Sequence, residues 1–184
     1  GVKKLPPAQW LLVESDGKET SKPYWHVDCT DKIDIPLADA KEHLKQLMLE
    51  SVKRMLVSDV PVGIMLSGGV DSSLILALAK EVGGNDFTAF TVGGDLQDEE
   101  CERARKVASK FNVKNYVYGF GSVGFSELVD AVKLCDEPVG LLEIFYLFGV
   151  HRHIKEHAKV VLTGNGADEV FGGYLYFHMA PSKE

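Results

Sequence analysis

The chain has 184 residues, 45% hydrophobic and 26% charged, enough apolar material to bury the core of one domain and too much for a disordered or fibrous segment. Its net charge of −7 argues against a nucleic-acid partner, since affinity for phosphate backbones comes from Lys and Arg. No apolar run approaches the roughly 20 residues of a membrane span; the longest candidate, Leu141 to Val150, is broken by Glu143, and three cysteines without CxxC spacing read as thiols of a reducing, cytoplasmic protein.

In chain order, residues 1–36 hold Pro6, Pro7, Pro23 and Pro36 and no sustained period, which predicts an extended arm or short strands joining another domain. Residues 37–184 read as the core domain. Leu37, Ala40, Leu44, Leu47, Met48, Val52, Met55 and Leu56 fall on one face of a predicted helix. A nearly continuous apolar strand, Val62 to Leu66, leads into a loop and a helix over Asp71 to Val82. Strand Phe87 to Val92, an amphipathic helix Asp98 to Phe111 and strand Asn115 to Tyr118 follow. Helices Ser126 to Leu134 and Glu143 to Ala158 then lead to strand Lys159 to Leu162. This alternation predicts an α/β fold, a doubly wound parallel sheet with helices on both faces.

The run Ser67-Gly68-Gly69-Val70-Asp71-Ser72-Ser73 lies between that first buried strand and its helix. Two glycines let the backbone pass close to an anion, three hydroxyls stand ready as partners, and the new helix aims its unpaired N–H groups at the loop. The Gly-Lys-Ser/Thr ending of P-loop NTPases is absent. A carboxylate, Asp71, stands there instead, and a carboxylate beside an oligophosphate implies a divalent cation between them, so the loop predicts Mg²⁺ as well as nucleotide. A second strand-turn motif, Thr163-Gly164-Asn165-Gly166-Ala167-Asp168-Glu169-Val170-Phe171-Gly172-Gly173-Tyr174, follows Val160 to Leu162. Parallel strands present their carboxyl ends on one edge, so the two turns can line one crevice in which Asp71 and Asp168 share a metal.

The string SGGVDSS resembles the pyrophosphate loop of the ATP pyrophosphatase family, with its adenine nucleotide alpha hydrolase-like fold. Together with the second motif, the lead-ins Leu5-Pro6-Pro7, Tyr24-Trp25 and Ser58 to Gly63, and the later Asp98-Glu99 and Asp136-Glu137-Pro138, the chain resembles the asparagine synthetase branch. The resemblance implies an AMP-forming amide ligase that uses ATP and Mg²⁺. Aspartate would be activated as β-aspartyl-AMP with release of pyrophosphate, and ammonia would then displace AMP to give asparagine. It implies that Ser67, Gly68, Gly69, Ser72 and Ser73 hold pyrophosphate, and that Met65, Leu66, Val92 and Gly164 contact adenosine. Asp71 and Asp168 would hold Mg²⁺, and Asn165 and Glu169 would face the reacting centre.

The family's glutamine-dependent members carry an N-terminal glutaminase domain whose nucleophile is a first-residue cysteine, and their synthetase domain continues past the GGY motif to a further lysine. This chain starts Gly1-Val2-Lys3-Lys4 and ends at Glu184, which leads to the expectation of a fragment whose parent has a glutaminase domain as partner and room for a homodimer. Where the family usually reads Gly-Glu-Gly, this chain has Gly164-Asn165-Gly166. An amide cannot act as a general base near neutral pH, though Asn also suits a tight turn. Two alternatives stay open: another adenylating ligase of the branch, of β-lactam synthetase or peptide-cyclase type, and a nucleotide-binding module without turnover. His153 and His157 lie four apart on a helix but lack the Glu of a zincin and read as a solvated helix end. Trp10 and Trp25 read as packing residues.

Overall fold

A computed structural model describes residues 2–84, 86–119, 125–135 and 143–179. The chain divides into two compact units, 1–41 and 42–184. In the first, strands β1 (Gln9–Val13) and β2 (Glu19–Pro23) form an antiparallel hairpin with Gln9 opposite Pro23 and Val13 opposite Glu19. Trp10 and Trp25 are 40% and 61% exposed, against their reading as packing residues. A two-stranded ribbon has no second layer against which to bury them.

Helix α1 (Leu37–Met55) leads to the second unit, where β3 (Val62–Met65), β4 (Thr88–Gly93), β5 (Lys114–Gly119) and β6 (Val160–Leu162) make a parallel sheet. Its order is β5-β4-β3-β6. Helices α2 (Val70–Gly83) and α3 (Glu99–Lys110) make the first two crossovers, while α4 (Phe125–Leu134) and α5 (Glu143–Ile154) carry the chain from β5 back past β3 to β6. The winding reverses between β3 and β6. Short helices α6 (Ala167–Phe171) and α7 (Leu175–Met179), which the sequence reading did not mark, follow β6.

The period of two along each strand sorts the core into two layers. Ile64, Leu66 and Ala89 pack with Val52 of α1, Leu76 and Ala79 of α2, and Ala104 and Ala108 of α3. On the other face Phe90 packs with Val150 and Ile154 of α5, flanked by Met65, Val92, Tyr116, Tyr118 and Val161. Helices therefore cover both faces. A Cβ on Gly63 would lie 2.5 Å from Phe90 Cε2 and 3.1 Å from Val161 Cγ1, so glycine there lets the fully buried Phe90 ring lie across β3.

His153 and His157 are both exposed, as the reading of a solvated helix end expects. Their rings stack on Tyr118 and Tyr116 of β5, with centroids 4.6 and 4.0 Å apart, because β5 is an edge strand whose large rings need a cover. The expected elements at Gly119 to Gly124 and Asp136-Glu137-Pro138 lie wholly or largely outside the described residues. All three cysteines are free thiols: Cys101 is buried, Cys135 partly so and Cys29 exposed. Among the described residues no helix is long and apolar enough to cross a membrane.

Candidate active site

The loop between β3 and α2 sits where the winding reverses, the place at which open α/β sheets leave a crevice beyond the strand ends. Its position is fixed from below. Leu66 N–H donates to the Phe90 carbonyl at 2.8 Å, and the buried Thr91 hydroxyl donates to the Leu66 carbonyl at 2.7 Å. Asn115 Oδ1 lies 3.1 Å from the same hydroxyl, while Asn115 Nδ2 is buried without a partner. One proton cannot serve two acceptors at full strength, and turning the carboxamide over lets Nδ2 donate to the Thr91 hydroxyl while that hydroxyl donates to Leu66. Leu66 itself is 1% exposed, with its side chain in the core and its N–H and carbonyl both paired, so the structure leaves it no free surface for the adenosine contact that the resemblance implies.

Within the loop the serines brace one another. Ser72 Oγ accepts from Ser67 N–H at 3.1 Å and lies 2.9 Å from Ser67 Oγ, which in turn accepts from Gly69 N–H at 3.3 Å. Gly68 has φ of +76°, and a Cβ on it would lie 2.5 Å from Ala104 N and 2.8 Å from Arg103 C and Cβ. The loop is thus laid directly on the backbone of α3. Gly69 caps α2 with an extended backbone and no side-chain hydrogen bond, which leaves the first-turn N–H groups to a ligand. Ser73 Oγ is buried with no partner.

The second motif meets this loop at one point. A Cβ on Gly164 would lie 3.1 Å from Asp71 Cβ and 3.2 Å from Ser72 N, so the turn after β6 touches the first turn of α2. Gly164 and Asn165 join Asp71, Leu44, Met48 and Phe171 around an open cavity of about 470 Å³. In the sequence Leu44 and Met48 read only as parts of an apolar helical face; their place at this cavity depends on how α1 packs. Met65 and Val92 stand together on the α5 face of the sheet, on adjacent strands.

Asp168 and Glu169 open α6, which starts from Gly166 at φ +93° and ends at Gly172 at φ +67°. Asp168 folds against the following turn: a Cβ on Gly173 would lie 2.0 Å from its Oδ1. Glu169 Oε1 accepts from the Tyr174 hydroxyl at 2.6 Å. That hydrogen bond holds the Glu169 carboxyl below its ordinary range, and the same contact pushes the Tyr174 phenol up to about 12. The pairing of Tyr174 with Glu169 was not legible in the sequence, because it requires the chain to double back at Gly172-Gly173. Among the described residues there is no group of three or more His, Cys, Asp or Glu side chains able to hold a metal by themselves.

Asp71 and Asp168 are hard oxygen donors of the kind Mg²⁺ takes one or two at a time, the rest of its shell being water and phosphate. The unpartnered Ser73 hydroxyl and the uncapped start of α2 suit an oligophosphate, whereas the Asp168 carboxylate lies against Gly173 and is not among the residues around the cavity that Asp71 borders.

Residues 43–184 match the family model for asparagine synthase. The chain is 34% identical over 177 residues to a putative glutamine-hydrolyzing asparagine synthetase of Methanocaldococcus jannaschii, covering 94% of this chain and 34% of that protein. It is 32% identical over 203 residues to asparagine synthetase B of Escherichia coli, covering 98% of this chain and 35% of the relative. It thus spans about a third of the length of these relatives. Among solved structures, a U34-tRNA thiolase of Methanococcus maripaludis superposes with a TM-score of 0.51 at 18% identity, over 76% of this chain and 51% of that one, a likeness of fold alone. With the parallel sheet, its loop at the reversal point and a family model matched over most of its length, the chain belongs to the asparagine synthase family.

Proposed function

We propose that this chain is the nucleotide-binding part of an ATP-dependent, AMP-forming amide ligase that converts aspartate to asparagine through β-aspartyl-AMP. The observation that carries the reading is the approach of Gly164 to Asp71 and Ser72, which makes one crevice of two motifs distant in sequence. Family membership supports the same chemistry. A carboxylate oxygen attacks the α-phosphorus as the bond to pyrophosphate breaks. Ammonia then attacks the acyl carbon, loses a proton, and AMP departs. Activation is required because oxide is a poor leaving group, and AMP a good one.

In this reading the loop N–H groups and the hydroxyls of Ser67, Ser72 and Ser73 receive the pyrophosphate end, where preorganised donors act without reorganisation. Ser72 reaches it by way of Ser67, to which it is already bonded. Met65, Val92 and Gly164 border the adenosine. Asp71 and Asp168 hold Mg²⁺, which supplies charge neutralisation on the departing pyrophosphate. Asn165 and Glu169 face the reacting centre; Asn165 can orient the acceptor by hydrogen bonds but takes no proton, and Glu169 stays ionised under the Tyr174 hydroxyl.

The test is a calorimetric titration with ATP, with and without Mg²⁺, coupled to phosphorus NMR of any product. Mg²⁺-dependent binding that is lost in Asp71→Ala, with AMP and pyrophosphate as the products of any turnover, is the expected result. Formation of ADP and phosphate, or an Asp71→Ala variant with unchanged affinity, would overturn the reading.

A further inference from the structure

The nucleotide site proposed above has a shortage of positive charge. The loop from Ser67 to Ser73 contains no Lys or Arg, its charged residue is Asp71, and Asp168 and Glu169 add two more carboxylates in a chain of net charge −7. One Mg²⁺ leaves a nucleoside triphosphate still anionic, so a cation from another element is required for favourable electrostatics.

We propose that Arg103 is that cation: a phosphate ligand delivered from α3 to the oligophosphate end of the nucleotide. The inference rests on the nucleotide reading and adds a residue to it. Three observations carry it. The stem of Arg103 begins against the loop itself, since a Cβ on Gly68 would lie 2.8 Å from Arg103 Cβ. Its guanidinium reaches one turn toward the start of α3, where Nη1 lies 2.9 Å from Glu99 Oε1. That start follows β4, so it lies at the carboxyl edge of the sheet, the edge on which the loop opens.

The neighbouring cation cannot substitute. Arg105 Nη2 donates to the Leu96 carbonyl at 2.7 Å and Nη1 to Glu102 at 3.3 Å, so it secures the connection between β4 and α3. Arg103, by contrast, is paired to a carboxylate whose side chain is 88% exposed. Such surface pairs are weak and exchangeable, and a guanidinium fork fits two phosphate oxygens as well as it fits a carboxylate. Rotation of the side chain trades Glu99 for phosphate with no movement of the helix.

The experiment compares the wild-type chain with Arg103→Gln, Arg103→Lys and Glu99→Gln by calorimetry, using ATP, pyrophosphate and AMP in the presence of Mg²⁺. Arg103→Gln should weaken ATP and pyrophosphate about tenfold, the loss of one charge-assisted contact, and leave AMP unchanged. Arg103→Lys should recover part of the loss, and Glu99→Gln should keep or tighten ATP binding. Unchanged ATP affinity in Arg103→Gln overturns the inference while leaving the nucleotide reading intact. So does an equal loss for AMP, which would mark general damage, or a loss in Glu99→Gln matching that of Arg103→Gln, which would assign the effect to the ion pair. A wild-type chain that binds none of the three overturns both.

Discussion

Gly68 and Gly69 stand side by side in the phosphate loop and are glycines for different reasons. At Gly68 the backbone takes φ +76°, and any Cβ would drive into the main chain of α3 at Ala104 N. A left-handed backbone costs a side-chain-bearing residue about 1–2 kcal/mol, before the contact with α3 is counted. At Gly69 φ is −74°, and a Cβ would meet only Ser67 Oγ, at 3.3 Å. Gly68→Ala should therefore lower stability by about 2 kcal/mol or more in urea unfolding and lift the loop off its support. Gly69→Ala should cost less than about 1 kcal/mol, because its conformation is open to any residue. If the two variants unfold at the same midpoint, the distinction drawn from their geometry is wrong. The glycines of the sequence pattern are thus read at first as room for a ligand, whereas for Gly68 the space without a side chain faces a neighbouring helix.

Between elements, the contact that fixes the loop is the hydroxyl of Thr91 on β4 holding the last carbonyl of the β3 run, Leu66. Thr91→Val keeps the shape and removes the proton, leaving the Leu66 carbonyl unpaired where both residues are closed to water. A buried acceptor left unsatisfied costs about 1–3 kcal/mol, and the expected result is a loss in that range by urea unfolding, together with weaker ATP binding from a loosened loop. A variant as stable as the parent would show that Thr91 is not the support. The strands and long helices of this region were legible because buried parallel strands are nearly continuous apolar runs and their covering helices carry a clear period. The doubly wound parallel sheet follows from that alternation and is the fold observed. Less was legible wherever tertiary contact decides. Five-residue helices such as α6 and α7 have too few turns to show a period, the Tyr174 bond to Glu169 depends on a reversal at two glycines, and the seat of Arg103 beside Gly68 depends on how α3 lies against the loop. The stacking of His153 and His157 on β5 has no signal in the sequence, because nothing local to a helix end reveals which edge strand lies beneath it.

At the scale of the whole molecule the two units differ in what holds them. The second unit has a core on each face of its sheet, with Ile64, Leu76, Ala79, Ala89 and Phe90 all fully buried. The first has a hairpin whose Leu11, Leu12 and Val13 are 46%, 53% and 56% exposed. Two strands without a covering layer are marginal in water, so the ladder pairs Trp10 with Lys22 and Leu12 with Thr20 have little burial behind them. Amide exchange follows the free energy of the opening that exposes each group, from near zero at frayed elements up to the global value in a core. Hydrogen exchange followed by mass spectrometry should therefore show residues 9–23 labelled early by local opening, while β3, β4 and the buried face of α2 label only with global unfolding. Added Mg²⁺ and ATP should slow exchange in the loop at 67–73 and in the turn at 163–166, which share the crevice, and leave the hairpin unchanged. Protection that rises equally across both units would mean that the nucleotide acts on the molecule as one cooperative body, and the separation of the two units would have to be abandoned.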